Sequence, residues 1–215
     1  MTQEKKLHEL IETYLSWKMK NSPTISTMFG YNDYNGDIED FTPSSIEEIL
    51  KDAKNFNKKL EEIPLELLDK DNQIDYELLK RDIEGQKRDI EKFRSHIVNP
   101  CTYSDIALQS ISLLNNRISI PPEEKAGFIL KRIEKIPSLL STAMKNLKNP
   151  PRSFREAAIA SCYGGMVFLA DLIPSLAEKV PHLGKELEKN KEKLLDAMGT
   201  YRKFLETDLS GCNGD

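Results

Sequence analysis

The sequence predicts an all-α protein, and three observations support this prediction. Apolar residues recur every three or four positions along most of the 215-residue chain, which is the period of an amphipathic helix. Most of the prolines stand where such a stretch begins or ends. No stretch alternates apolar and polar residues as a half-buried strand does. We expect about seven or eight helices in an irregular, largely antiparallel bundle.

The first part of the chain predicts three helices around one polar loop. The first helix ends near Asn21, and Ser22-Pro23 then caps a short helix that Gly30 closes in the left-handed conformation. Residues 31–41 are rich in Asn, Asp and Gly and are predicted to form a loop. Thr42-Pro43 is expected to cap the third helix.

The next helix has a regular apolar seam. Asp71 can cap it, and it is predicted to run to Asn99-Pro100, before a shorter helix over residues 104–115. The steps of the seam average about 3.5 residues, which is typical of two helices packed nearly antiparallel. Its inward residues are predicted to be Leu79, Ile83, Gln86, Ile90, Phe93 and Ile97.

Three further helices complete the prediction. Pro121-Pro122 begins a long one, in which Pro137 is expected to cause a kink or a split because proline lacks a backbone donor. An apolar helix over residues 153–173 is expected to be a buried core helix that ends before Pro174, and the last helix follows Pro181. Short connections favour one helical domain over residues 1–209, with a disordered or truncated tail at 210–215.

Composition excludes several classes of function. With 31 basic and 35 acidic residues the net charge is −4, so a general nucleic-acid binder is not expected. The most apolar stretch, Ala157–Ala170, is about 14 residues long, which is too short to span a bilayer, and no membrane association is expected. The polar amino terminus has no signal-peptide core, and three scattered cysteines form no disulfide or zinc pattern. We therefore expect a cytoplasmic protein.

The histidines do not form a catalytic or metal-binding pattern. His8-Glu9 begins like a zincin motif, but Glu12 stands where the second histidine would be, so a solvated helix face is the better interpretation. His96 and His182 lie near helix ends without a glutamate three residues before them, which predicts capping or surface positions.

Two other segments suggest chemistry only at first sight. The acidic run Asp33–Asp40 lacks the glycine and glutamate spacing of an EF-hand, so a plain acidic turn is predicted. Cys162, which precedes Gly164 and Gly165, could be a nucleophile if a base lay nearby, but a small core cysteine beside a close helix contact is the better interpretation. The sequence therefore assigns no catalytic, cofactor-binding or metal-binding residue to this chain.

Several segments, in order, resemble a known family of helical bacterial and archaeal proteins, the domain of unknown function 885. No single motif is specific, but the ordered set is, and it extends from about residue 5 to the carboxyl end. The matching segments are Asn21-Ser22-Pro23-Thr24, Gly30-Tyr31, Asp33-Tyr34, Gln73-Ile74-Asp75-Tyr76-Glu77-Leu78-Leu79, Asn99-Pro100 with Tyr103, Arg132 to Ile136-Pro137, Ala143 with Asn146-Leu147, and Asn149-Pro150-Pro151.

The resemblance implies a function for the family rather than for this chain. Full-length members are longer and look like zincin metallopeptidases, with the zinc-binding His-Glu helix in the downstream part. The resemblance implies that zinc and a peptide substrate belong only to that full-length context. The chain would then be a truncated, non-catalytic amino-terminal part that forms one wall of a substrate cleft. Its expected partner is the missing carboxyl-terminal part or a second copy.

Two alternatives stay open at this point. The chain could be an autonomous helical interaction module without enzymatic activity, which should be a stable monomer with a polar surface. A weaker alternative is a thiol enzyme that uses Cys162.

Overall fold

The computed structural model describes residues 2–214, and these residues form α-helices without any strand. Nine α-helices lie in this part of the chain, eight of them at least seven residues long, and they pack antiparallel. The all-α prediction is therefore confirmed. The helices are α1 Gln3–Asn21, α2 Pro23–Phe29, α3 Pro43–Glu61, α4 Lys70–Arg88, α5 Ser95–Val98, α6 Cys101–Asn116, α7 Pro122–Asn146, α8 Arg152–Lys179 and α9 Pro181–Thr207.

The helices belong to two compact units. The small unit contains the residues up to Asn21 together with Thr42–Arg94, which form α1, α3 and α4. The large unit contains Ser22–Phe41 and the residues from Ser95 onward, which form α2 and α5–α9. The predicted domain over residues 1–209 and the predicted tail at 210–215 stay predictions. Within that tail, residues 212–214 carry no helix, and Asp215 lies outside the described residues.

An aromatic cluster organises the core of the small unit. The rings of Tyr14 and Phe56 meet edge to face at 5.2 Å between centroids, and Trp17 lies 5.2 Å from Phe56. The indole N–H of Trp17 donates to Asp52 at 2.9 Å, so its polar edge is satisfied at the rim of the core. These contacts join α1 to α3. The buried apolar residues of this core are Leu7, Leu10, Tyr14, Phe56, Leu60, Ile63, Leu68, Tyr76, Leu79 and Ile83.

The core of the large unit lies between four long helices. Each of α6, α7, α8 and α9 buries one apolar stripe, which removes that surface from water and supplies most of the driving force for packing. The residues that are fully buried include Ala107, Ile111, Leu114, Ala126, Ile129, Ile136, Ala143, Ala158, Leu169, Ile173, Leu187, Leu194, Tyr201 and Leu205.

Local cap signals predicted most helix starts. Thr42 accepts the backbone N–H of Ser45 at 3.4 Å, and Gly30 closes α2 with a φ of 92°, as predicted. The cap of α4 is Asp69 rather than Asp71, since Asp69 accepts the N–H of Asn72 at 2.9 Å. The prediction of Asp71 was wrong because both aspartates fit the local pattern and the preceding turn selects the earlier one.

Two internal prolines do not end their helices. Pro137 lies inside the unbroken α7, so the helix is not split, and the predicted kink stays a prediction. Pro174 lies inside α8, which continues to Lys179, so the predicted end before Pro174 was wrong. Ile173 and Leu176 on either side of Pro174 are both buried, and this packing offsets the hydrogen bond that Pro174 removes.

The predicted seam of α4 ends early. The helix passes into a π-helical turn over Asp89–Phe93, and Arg94 then takes a left-handed conformation with a φ of 53°. Phe93 is consequently exposed rather than inward, and Ile97 falls in the separate helix α5. The prediction of one helix to Asn99 was wrong because of this π-helical turn. A π-turn holds more residues than an α-helical turn, so the side chains after it point in a different direction, and the spacing of apolar residues in the sequence does not reveal this change.

One glycine sets the distance between α6 and α8. A Cβ atom on Gly165 would stand 2.2 Å from Cδ2 and 2.9 Å from Cγ of Leu108. Such distances are far below van der Waals contact, so the two helices pack closely only because position 165 has no side chain. Nothing lies within 4 Å of a Cβ on the neighbouring Gly164, which faces solvent.

We expect opposite effects from the two glycines. Gly165→Ala should destabilise the chain by about 1–3 kcal/mol, because the added methyl group overlaps Leu108 and forces a rotamer change or a helix shift. Gly164→Ala should stabilise it by about 0.5–1 kcal/mol, because alanine is the better helix former and meets no neighbour. Urea unfolding followed by circular dichroism measures both changes. Equal effects of the two substitutions would contradict the assigned contact.

Candidate functional site

The histidine candidates lie apart from one another on the structure. His8 and Glu12 are exposed on α1, which confirms the predicted solvated helix face. His182 is exposed near the start of α9, with its Nε2 3.4 Å from an oxygen of Glu123, and His96 is partly buried in α5. Within residues 2–214, no group of three or more His, Cys, Asp or Glu side chains is arranged to hold a metal ion.

Cys162 lies in the core of the large unit, as predicted. Its side chain is buried, and burial raises the pKa of the thiol to about 12. The thiol is therefore protonated at neutral pH, whereas a nucleophilic cysteine needs the thiolate. The close helix contact predicted beside it is made by Gly165 and not by Gly164.

The principal polar cluster of the large unit surrounds Arg132, which is fully buried on α7. Its Nη1 donates to the carbonyl oxygen of Ser110 at 2.5 Å. Its Nη2 lies 2.7 Å from Oγ1 of Thr27, 3.2 Å from the carbonyl oxygen of Pro23 and 3.3 Å from that of Tyr34. One guanidinium thus connects α6 and α7 to α2 and the loop that follows it.

A partly buried carboxyl belongs to the same cluster. Glu39 accepts the backbone N–H of Thr24 at 2.9 Å and its hydroxyl at 2.8 Å. Burial raises the pKa of Glu39, while the hydrogen bonds from Thr24 and the positive charge of Arg132 oppose that rise. Burial also lowers the pKa of Arg132 to about 10, against the pull of the nearby carboxylates. Arg132 therefore stays charged at neutral pH.

The acidic loop is folded onto this cluster. Residues 33–36 form a turn, as predicted, but Asn35 in its centre is fully buried. Thr27 shares a hydrogen bond of 2.9 Å with the side-chain oxygen of Asn35. Lys135 on α7 binds Asp37 at 2.6 Å at the exposed edge. The carbonyl oxygens of Tyr34 and Gly36 and the carboxylate of Asp37 thus bind Arg132 and Lys135 of α7.

A second polar cluster of the large unit surrounds Asn146, the last residue of α7. The side-chain N–H of Asn146 donates to the carbonyl oxygen of Phe41 at 2.8 Å and to the hydroxyl of Tyr103 at 3.1 Å. That hydroxyl donates to the carbonyl oxygen of His96 at 2.5 Å, and burial raises the pKa of Tyr103 to about 12. These hydrogen bonds connect α7 to the start of α6, to α5 and to the loop at Phe41.

Sequence reasoning gave neither cluster a role. Arg132, Tyr103 and Asn146 were noted only as parts of matching segments. One signal for Arg132 was present, since it lies three residues after Ile129 and four before Ile136, at the edge of the inward stripe of α7. A charged residue in that phase of an apolar stripe indicates a buried cation whose charge is met by protein oxygen atoms.

An open groove runs between α1 and α4 in the small unit. Its apolar lining comes from Ile11, Leu15, Leu78 and Leu79, and Asp75 lies beside them. At one end Asp82 accepts the hydroxyl of Tyr14 at 2.8 Å and the ammonium group of Lys18 at 2.6 Å. The groove therefore offers apolar contacts beside carboxylates.

The apolar helix α8 is only half buried. It was predicted to be a buried core helix, but its outer side is exposed, so that prediction was wrong for one face. The exposed apolar residues, here called the α8 face, are Phe154, Ala157, Ala160, Tyr163, Gly164, Val167 and Phe168.

By length and composition α8 is also long and apolar enough to cross a membrane. It is the one helix among the described residues with this property, and it is weak evidence for a membrane span. A core helix of a soluble protein passes the same test, and α8 buries one face against its own unit.

We expect Arg132 to be essential for the large unit. Arg132→Met should lower the free energy of unfolding by about 3–5 kcal/mol, because the carbonyl groups that it binds would stay buried without a donor. The matched control is Arg152→Met, at an exposed arginine paired with Glu156, which should change it by less than about 0.5 kcal/mol. Urea unfolding gives both values, and equal effects would contradict the buried network.

A pH dependence follows from Glu39. Its pKa is raised above the ordinary value of 4.5, so above that pH the folded state keeps a proton that the unfolded chain has lost. The free energy of unfolding contributed by this group therefore falls as pH rises through the window between 4.5 and the raised pKa.

Glu39→Gln should remove this contribution, so that stability declines less than in the wild type as pH rises above 4.5. Urea unfolding at a series of pH values measures the slope. Glu124→Gln, at an exposed position on α7, is the control and should keep the wild-type slope. A Glu39→Gln variant with the wild-type slope would show that the carboxyl is not held as described.

The comparisons with known proteins agree with this architecture. One solved structure, described as "a putative lipoprotein of unknown function from Shewanella oneidensis", superposes with a TM-score of 0.86 at 20% identity. The match covers 95% of this chain and 38% of that chain, so the protein spans well under half of that relative. At this identity the likeness shows the fold alone. No curated protein matches the sequence.

A family model gives the assignment. The model for bacterial proteins of unknown function, DUF885, matches residues 23–213, which is most of the chain. The match contains the ordered segments noted in the sequence from Pro23 onward, and the structure brings several of them together around Arg132 and Asn146. The chain belongs to the DUF885 family.

Proposed function

We propose that this chain is the non-catalytic, amino-terminal helical part of a zinc-metallopeptidase-like hydrolase, in which it forms one wall of a substrate cleft. The observation that supports the proposal is the partial match, because nearly the whole chain superposes on 38% of a longer relative. Such a chain corresponds to one part of a larger fold. The hydrolase character itself comes from the family resemblance.

The described residues do not fit a zinc site. No group of three His, Cys, Asp or Glu side chains converges in residues 2–214, and the buried cysteine is held as the thiol. We therefore derive no catalytic step here and assign the metal to the downstream part of the family fold. The contribution of this chain is then shape and binding surface.

The groove between α1 and α4 suits the wall of a peptide cleft. Its apolar lining, with exposed Leu15 and Leu78, can bury side chains of an extended peptide. Asp75 and Asp82 stand beside that lining and can bind a positively charged group or a peptide N–H. Asp82 is already oriented by Tyr14 and Lys18, which favours a preformed surface.

The decisive experiment is to sequence the source locus beyond codon 215. The proposal predicts an uninterrupted reading frame that encodes a downstream His-Glu helix. The purified 215-residue chain should contain no stoichiometric zinc by elemental analysis and should cleave no peptide. Zinc binding together with peptide cleavage by this chain alone would refute the proposal.

A second candidate function is an autonomous helical interaction module. The exposed apolar α8 face departs from the polar surface expected of such a module, although contiguous apolar surface of this kind also marks binding sites. A stop at codon 216 and a stable monomer in light scattering would support this alternative. The cytoplasmic location predicted from composition belongs to either candidate and stays a prediction.

A further inference from the structure

We propose that the α8 face is covered by the polypeptide that follows this region in the longer family fold. This inference rests on the proposed function, and it names the surface through which the helical part binds the rest of the molecule. The covering segment is the polypeptide encoded downstream of residue 215.

The α8 face is apolar and exposed to solvent. Tyr163 is 64% exposed, Val167 52%, Phe154 43% and Phe168 39%. From Ala157 to Phe168 the exposed residues carry no charge over about 16 Å of helix. Single exposed apolar side chains are ordinary, but a contiguous row on one helix is the pattern of an interface.

The shape of the α8 face suits a second helix. At 100° per residue, Ala157, Ala160 and Gly164 lie along its middle, with Val167 and Tyr163 on one side and Phe168 on the other. Small residues between larger ones form a shallow groove into which another helix can pack closely. A Cβ on Gly164 would meet nothing within 4 Å, so the middle of this groove is open.

The last described residues lie beside the start of α8. Gly214 lies against Pro151, where its Cβ would stand 3.1 Å from Cγ, and Arg155 on α8 binds the carbonyl oxygen of Leu209. Cys212 packs against the core of the large unit. A polypeptide that continues from this point therefore starts beside the first turn of α8, at the Phe154 end of the face.

The longer relative contains enough further polypeptide to cover the α8 face. The match covers 38% of the longer relative's chain, so most of that protein lies outside the matched region.

A lipid bilayer fits the α8 face less well than a polypeptide does. The charge-free length of the face, about 16 Å, is about half the thickness of a hydrocarbon core. Glu156 and Asp171, both exposed, lie on either side of this charge-free stretch.

The test uses the 215-residue chain and the longer chain encoded by the same reading frame. Hydroxyl-radical footprinting measures how fast Tyr163 and Phe168 are oxidised in each, with the buried Tyr201 as the internal standard. We expect both residues to react readily in the 215-residue chain. In the longer chain their rates should fall toward that of Tyr201.

A variant tests the same contact by stability. Val167→Glu should leave the unfolding midpoint of the 215-residue chain unchanged, because the side chain there faces water. It should lower the midpoint of the longer chain, because a carboxylate would be buried in an apolar contact. Ile118→Glu is the matched control, at a 98% exposed position outside α8, and should leave both midpoints unchanged.

The outcomes separate this inference from the proposed function. A longer chain that binds zinc and cleaves peptides, yet leaves Tyr163 and Phe168 as reactive as before, overturns the inference alone. A stop codon at 216 overturns both. A dimer of the 215-residue chain that Val167→Glu dissociates overturns the inference in favour of a second copy, and binding to phosphatidylcholine vesicles that Val167→Glu abolishes overturns it in favour of a membrane.

Discussion

The architecture of the large unit depends on one buried guanidinium. Arg132 supplies hydrogen bonds to Ser110 on α6 and to three positions between Pro23 and Tyr34. That segment is polar, and its carbonyl groups could not be buried without donors. Because the donors come from the interior of α7, the loop is attached to a part of the helix that does not fray as helix ends do. The charge is tolerated since Glu39 and several oxygen atoms surround it.

Hydrogen bonds from a side chain on a long helix to a backbone carbonyl oxygen occur elsewhere in the large unit as well. Tyr201 on α9 donates to the carbonyl oxygen of Pro100 at 2.8 Å, and Asn146 on α7 donates to that of Phe41 at 2.8 Å. Arg155 on α8 binds the carbonyl oxygen of Leu209. In each case a long helix, already held by apolar packing, provides a side-chain donor to a carbonyl group where a helix begins or ends or in a loop. Asn146, which lies in a segment shared with the family, thus makes a structural contact.

The apolar features that remain open to solvent lie on the surface of each unit. The buried polar side chains described above are engaged with protein partners, and burial keeps Cys162 protonated. Two open features are the groove between α1 and α4 in the small unit and the α8 face in the large unit. Both are largely apolar, and both lie on long helices. The proposed role in a larger hydrolase assigns one to substrate and the other to the downstream polypeptide.

The sequence by itself determined the all-α class, the caps at Thr42 and Gly30, and the family, because periodicity, caps and motif order are local properties. Only the tertiary structure decided how far α8 continues past Pro174 and which of its faces is buried. It also decided that Arg132 meets Pro23, 109 positions earlier in the chain. Such contacts depend on packing between distant segments, and neither helical period nor local propensity contains that information.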